Sequence, residues 1–194
     1  MSLKERIYSV PIVSAAESFN DALSALLPNS KYSPTHFVSN ISAAKRALAE
    51  HAFDYVIINS PLPDDVGTRF AIDTADSKES VVLLMVRTEL QAEIYDKVAE
   101  HGVFVLPKPT SKPTMTIALS WLSIAREKLR KTEMKTLSIE KKMEEIRIVT
   151  RAKWILIREL KLDEPEAHRY IEKQAMDRCV SKRVVAEEII KTYS

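Results

Sequence analysis

Asp54–Gly67, DYVIINSPLPDDVG, decides the architecture of the front half of this chain. Tyr55, Val56, Ile57 and Ile58 are aromatic or β-branched, and no polar residue alternates with them. So short a run, apolar on both sides, suits a strand covered on both faces. Ser60-Pro61-Leu62-Pro63 ends it, because proline has no N–H to give a ladder.

The same pattern repeats outward from this strand. Upstream lie Arg6–Ser14 (RIYSVPIVS), where Pro11 marks an irregularity or a strand edge, and a short strand at Thr35–Ser39. Downstream lie Val81–Val86 (VVLLMV) and Val103–Leu106 (VFVL). Ser18–Leu27, Ile41–His51, Val66–Ala75 and Glu89–His101 read as the intervening helices. Ser39 or Asn40 is placed to cap the second, and Gly102 to close the fourth in a left-handed conformation. Strand and helix alternate five times, which predicts an α/β fold: a doubly wound, five-stranded parallel sheet of flavodoxin-like type. Chemistry in such sheets gathers at the carboxyl ends of the strands, here Ser14, Asn59, Met85–Arg87 and Pro107-Lys108.

The back half holds no convincing strand. Met115, Ala118, Leu122, Ala125, Leu129, Thr132, Thr136, Ile139, Met143, Ile146 and Thr150 recur at steps of three and four. This is a heptad seam, compatible with a helix packed on its own domain or with a coiled coil. Its length favours a coiled-coil helix paired in parallel with a second copy. Ile146–Leu160 continues the helix. Asp163-Glu164-Pro165-Glu166 is a helix start, with a capping aspartate, acids in the first turn and proline where no N–H is needed. That helix runs to about Cys179, and Ser181 caps a last one at Lys182–Thr192. The division read from these signals is an α/β domain at 1–112, a coiled-coil linker helix at 113–145 and a three-helix all-α domain at 146–194.

Charge separates the two halves. Residues 1–109 carry a balance of −4 and residues 110–194 a balance of +6, so the back half is the part suited to a polyanion. Only Gly67 and Gly102 occur, which excludes glycine-rich phosphate loops. The single cysteine, Cys179, forms no internal disulfide, is expected as a small filler on a helix, and points to a reducing cytoplasm. No apolar run is long enough to span a bilayer, and Met1–Val13 (MSLKERIYSVPIV) lacks the pattern of a signal peptide. His36, His51, His101 and His168 suggest no catalytic cluster, so neither an enzyme nor a cofactor or metal is expected.

Residues 5–109 resemble a receiver domain of two-component response regulators. Asp54–Gly67 follows that family's third strand and loop, with Pro63 and Gly67 in step, and Lys108-Pro109 matches its lysine–proline pair. The resemblance also marks what is missing. Where the family carries its phosphoaccepting aspartate stands Asn59, and a carboxamide forms no acyl phosphate. Where it carries an acidic pair for Mg²⁺ stands Ser14-Ala15-Ala16-Glu17. Its hydroxyl switch falls near Met85, with Thr88 displaced, and Asp64 and Asp65 are poor surrogates for the acceptor. A degenerate receiver is implied, with Lys108 bonded to Asn59 or to nearby carbonyls, serving as a dimerisation or partner-sensing platform.

Residues from about 137 onward resemble the ANTAR domain, an RNA-binding module of bacterial antiterminators. The resemblance rests on Ala152-Lys153-Trp154-Ile155-Leu156-Ile157, Glu166-Ala167, Tyr170-Ile171, Ala175-Met176, Val185-Ala186-Glu187 and Ile189-Ile190. The family usually has glycine where Trp154 stands. Helical spacing makes Ala152, Ile155, Leu156, Ala167, Tyr170, Ile171, Ala175, Met176, Val185, Ala186 and Ile189 core. Trp154 is expected there too, with stacking on loop bases, alongside Tyr170, as the alternative. Arg147, Arg151, Lys153, Arg158, Arg178, Lys182 and Arg183 remain for RNA phosphates. The implied function is transcription antitermination by a homodimer that binds hairpins in a leader transcript, controlled by a regulatory protein or small molecule; no membrane partner is expected. A DNA-binding regulator and a protein-interaction scaffold are the alternatives.

Overall fold

The computed structural model describes residues 6–77 and 80–193, so the first five residues of the stretch Met1–Val13 lie outside it. Two compact units divide at Arg130 and Lys131. The first contains strands β1 (Tyr8–Val13), β2 (Tyr32–Val38), β3 (Tyr55–Asn59), β4 (Val81–Arg87) and β5 (Phe104–Lys108). Helices α1 (Glu17–Ser24), α2 (Ile41–Glu50), α3 (Thr68–Asp76) and α4 (Gln91–Val98) connect them. All pairings are parallel, in the order β2-β1-β3-β4-β5. The expected doubly wound sheet is present.

Period-two alternation sorts the strands' side chains into two cores. Tyr55, Ile57, Leu83 and Met85 face one, with Leu23 of α1; Val56, Ile58, Leu84 and Val86 face the other, with Ala44, Ala71 and Val98 of α2, α3 and α4. β3 is buried at all five positions, hence its unbroken apolar run. Each such side chain taken from water contributes about 1.5–3 kcal/mol.

Local chemistry sets the boundaries. Asn40 caps α2 by accepting from the Ala43 N–H at 2.8 Å. Gly67 starts α3 at φ 86°, and a Cβ there would sit 3.1 Å from Ile58 Cγ2. Pro11 is not at an edge, since β1 lies between β2 and β3; its irregularity is the register shift between Tyr8 and Val10. β2 begins earlier than predicted, and β5 continues through Pro107 to Lys108.

A 49-residue helix, α5 (Lys112–Leu160), follows. The expected boundary at 112 is displaced, because the first turns of α5 complete the front unit. Met115, Ala118 and Leu122, predicted on the seam, are buried in the first core with Leu119. A three-and-four repeat fits the face of a sheet as well as a partner helix. Beyond Arg130 the seam changes character: Ile139, Met143 and Ile146 are 58%, 60% and 64% exposed.

The second unit contains the end of α5, α6 (Glu164–Asp177) and α7 (Lys182–Tyr193). Asp163 and Glu166 form a reciprocal capping box at the start of α6, at 2.7 and 2.9 Å. Ala152, Ile155, Leu156, Ala167, Ile171, Ala175, Val185, Ala186 and Ile189 make the core. Tyr170 and Met176 were expected among them but are 40% and 77% exposed, because their places in the turn of α6 face outward. Cys179 is not on a helix. It follows α6 at φ 51°, where the Val180 N–H closes onto the Ala175 carbonyl at 3.0 Å, and its thiol is exposed.

Candidate functional site

The carboxyl ends of β1, β3 and β5 bring Ser14, Asn59 and Lys108 together. Lys108 Nζ donates to Asn59 Oδ1 at 2.6 Å and to the Ser60 carbonyl. Asn59 Nδ2 donates to Ser14 Oγ at 3.0 Å, and that hydroxyl also accepts the Ala16 N–H at 3.2 Å. Both sides of the amide are therefore engaged. Burial pushes the Lys108 ammonium below the usual lysine range, and the Arg87 charge adds to the shift. Met85 lies beside Asn59 in the sheet, buried, with no hydroxyl to offer. Thr88 instead donates to the Lys108 carbonyl at 2.9 Å.

The nearby acids have structural duties. Asp64 accepts from the Ile41 and Ser42 N–H groups at the start of α2, at 3.0 and 3.3 Å. Desolvation alone would raise its carboxyl, but these two donors, with its own N–H and the Ser42 hydroxyl, together outweigh it and hold it below the ordinary range. Asp65 accepts from the Gly67 N–H at 2.6 Å. Glu17 is exposed at the start of α1. Magnesium in a receiver needs carboxylates converging on the end of β1; Ser14 and Ala15 supply none, so these residues do not fit that ion. Among the described residues no three acidic, histidine or cysteine side chains gather to hold a metal.

At the opposite end of the sheet is a cluster that the sequence did not disclose. Asp54, 7% exposed, receives Arg126 Nε at 3.0 Å and an Arg130 terminal nitrogen at 2.6 Å, both from α5. The Ser9 N–H donates to the same carboxylate at 3.1 Å. Arg130 also pairs with Glu127 at 3.2 Å and sits over the Tyr8 ring. The histidines serve separate ends: His36 and His51 edge onto Phe53, His101 meets Asp76, and His168 meets Glu172.

In the second unit the seven cations expected to meet RNA fall into two groups. Lys153 bonds Glu164 at 2.6 Å and is 18% exposed at its side chain, tying α5 to the start of α6. Arg178 grips Glu188 with two nitrogens, at 2.5 and 2.7 Å; Lys182 meets Glu172; Arg183 meets Glu187 at 2.7 Å. These hydrogen bonds push the Glu188 carboxyl down and the Arg178 and Arg183 guanidinia up. Each of these three cations therefore stands beside a neutralising acid.

Arg147, Arg151 and Arg158 differ. With Trp154 they stand at steps of four, three and four along α5, one stripe of the helix. Arg147 pairs loosely with Glu144 at 3.6 Å, Arg158 with its neighbour Glu159 at 2.6 Å, and Arg151 meets no acid among the described residues. Trp154 is not in the core: it is 67% exposed, because the turn that buries Ala152, Ile155 and Leu156 points it outward. Arg151, Trp154, Ile155, Ile157, Arg158 and Tyr193 line an open cleft of about 750 Å³. Bulk suggested the core for Trp154; its helical phase, legible in the spacing, points the other way.

Comparison with known proteins supplies a family for the second unit and a fold for the first. Residues 138–190 match the ANTAR domain. The transcriptional regulatory protein PdtaR of Mycobacterium tuberculosis is 28% identical over 148 residues, covering 75% of this chain and 71% of its own. The signal receiver domain of an HD domain-containing protein from Pseudomonas fluorescens Pf-5 superposes with a TM-score of 0.57 at 20% identity, over 68% of this chain and 96% of that one. The non-phosphorylated HemR receiver domain from Leptospira biflexa does so with a TM-score of 0.54 at 24% identity, over 60% of this chain and 94% of that one. These two likenesses establish the receiver fold.

Proposed function

Because this chain joins a receiver-like domain to an ANTAR domain, we infer that it regulates transcription antitermination by binding RNA hairpins in a leader transcript. The observation that carries this reading is the stripe Arg147–Arg151–Arg158 inside the ANTAR match, where three cations project from one helix face, Arg151 meets no acid among the described residues and Arg147 stands 3.6 Å from its nearest one. Phosphates are the natural partners of such a stripe, and hairpins present them on a short, shaped duplex. Filter binding tests it: a stem-loop RNA should bind more tightly than duplex DNA at matched salt, and equal or absent binding would favour the DNA-binding or scaffold alternatives.

The receiver-like domain acts without phosphorylation. Asn59 offers an amide engaged by Lys108 and Ser14, no acid pair stands by, and Asp64 and Asp65 serve the backbone. Acetyl phosphate with Mg²⁺ should leave the intact mass unchanged, and Asn59→Asp should not rescue the reaction, since the cation ligands are missing too. A gain of one phosphoryl group on the unaltered chain would overturn this. Control then comes from a protein or small molecule acting on the domain, within a reducing cytoplasm. Among the described residues no helix is long and apolar enough to cross a membrane.

The chain functions as a homodimer through α5. Ile139, Met143 and Ile146 extend the three-and-four seam past Arg130 and stand more than half exposed, the condition of a coiled-coil face awaiting its partner. Sedimentation equilibrium should report a dimer, and Ile139→Lys with Met143→Lys should shift it to monomer; a dimer that survives both charges would place the contact elsewhere.

A further inference from the structure

We propose that Trp154 is a stacking platform for an unpaired base of the bound RNA, with Arg151 and Arg158 holding the flanking phosphates. The proposal rests on the RNA-binding reading and says which part of the RNA this face takes.

Trp154 is 67% exposed on α5, and among the described residues no aromatic ring pairs with it. An indole left largely in water keeps its π face and its apolar area open to a ligand. Its neighbours on the helix surface are cations: Arg151 one turn before, which meets no acid among the described residues, and Arg158 one turn after, paired with Glu159. A second copy would meet a positively charged rim here, which disfavours self-association; a polyanion with π faces meets charge and ring together. The cleft beside the ring, about 750 Å³ with Tyr193 on its wall, is open enough to admit a planar base. Tyr193 is 40% exposed and lies at the end of α7. The stem of a hairpin keeps its bases stacked on each other, so only loop or bulge bases are free to reach such a platform. The ANTAR resemblance puts glycine at this position, which offers no surface to stack on. The contact therefore belongs to this chain in particular and adds to whatever the cations supply.

Tryptophan fluorescence reads the contact directly. The chain has two tryptophans, so Trp121→Phe leaves Trp154 as the sole reporter. Adding a stem-loop RNA with unpaired loop bases should quench its emission; the same stem as a blunt, fully paired duplex should not. Trp154→Ala in the full chain should weaken stem-loop binding by about tenfold or more and leave duplex binding within about twofold, with Trp154→Phe retaining most of the loop affinity. If the stem-loop binds while the emission stays constant and Trp154→Ala binds equally, the platform is wrong and the RNA reading stands. If neither RNA binds the unaltered chain, the reading and the proposal fall together. Emission that changes on dilution of the protein alone would assign the face to a second copy and overturn the proposal.

Discussion

Replacing Asp54 by alanine should weaken the front unit by about 3 kcal/mol, seen as roughly hundredfold faster amide exchange in β1 and β3 of the full-length protein. The carboxylate is 7% exposed and answers two guanidinium groups and the Ser9 N–H at once. Its removal takes a carboxylate from Arg126, which is only 11% exposed at its side chain, and from Arg130 at the same time. Breaking such a pair from one side costs about 3–5 kcal/mol, because the remaining ion is not rehydrated. The lower end applies here, since Arg130 is 28% exposed and keeps Glu127. Asp54→Asn retains an oxygen for the Ser9 N–H and should lose less. Exchange rates unchanged by Asp54→Ala would mean that α5 is held by its apolar face alone.

The second large effect concerns RNA. Removing charge from Arg147, Arg151 and Arg158 together should lower stem-loop affinity by about two to three decades at low salt and flatten the salt dependence by about two to three phosphate contacts. The same treatment of Arg178, Lys182 and Arg183 should cost only several-fold. All three of those cations have a carboxylate within hydrogen-bond reach that offsets their field, whereas in the stripe only Arg158 does: Arg147 stands 3.6 Å from Glu144 and Arg151 meets no acid among the described residues. Exposed pairs are individually weak, about 0–1 kcal/mol, and can exchange a carboxylate for a phosphate, but the acid left behind then repels the RNA. Equal losses from the two triples would show that RNA lies across α6 and α7 as well.

The sheet was legible because local signals agreed: apolar runs in Tyr55–Ile58 and Val81–Val86, turn residues after the first, and a cap at Asn40. Asp163 and Glu166 likewise announced their helix three residues apart. Three features were hidden for different reasons. Asp54 meets Arg126 and Arg130 across more than seventy positions, and no local pattern encodes that meeting. Met115, Ala118 and Leu122 follow the spacing of a coiled coil while packing on a sheet, since both surfaces ask for the same stripe. The acids beside Arg178 and Lys182 come from the packing of α6 and α7 and have no local signature, whereas Arg183 meets Glu187 one turn along its own helix, a pair the spacing does encode. Trp154 is a different case: bulk favoured the core over an outward position, and its helical phase, counted from Ala152 and Leu156, decides for the outward one.

The closed circuit from Lys108 through Asn59 to Ser14 bears on time as well as chemistry. A phosphorylated switch carries its own clock, because the acyl phosphate decays by hydrolysis whatever the stimulus does next. A head whose polar groups answer only one another has no such timer. With control vested in a bound protein or small molecule, as proposed, its output would persist for the residence time of that occupant and end when the occupant leaves.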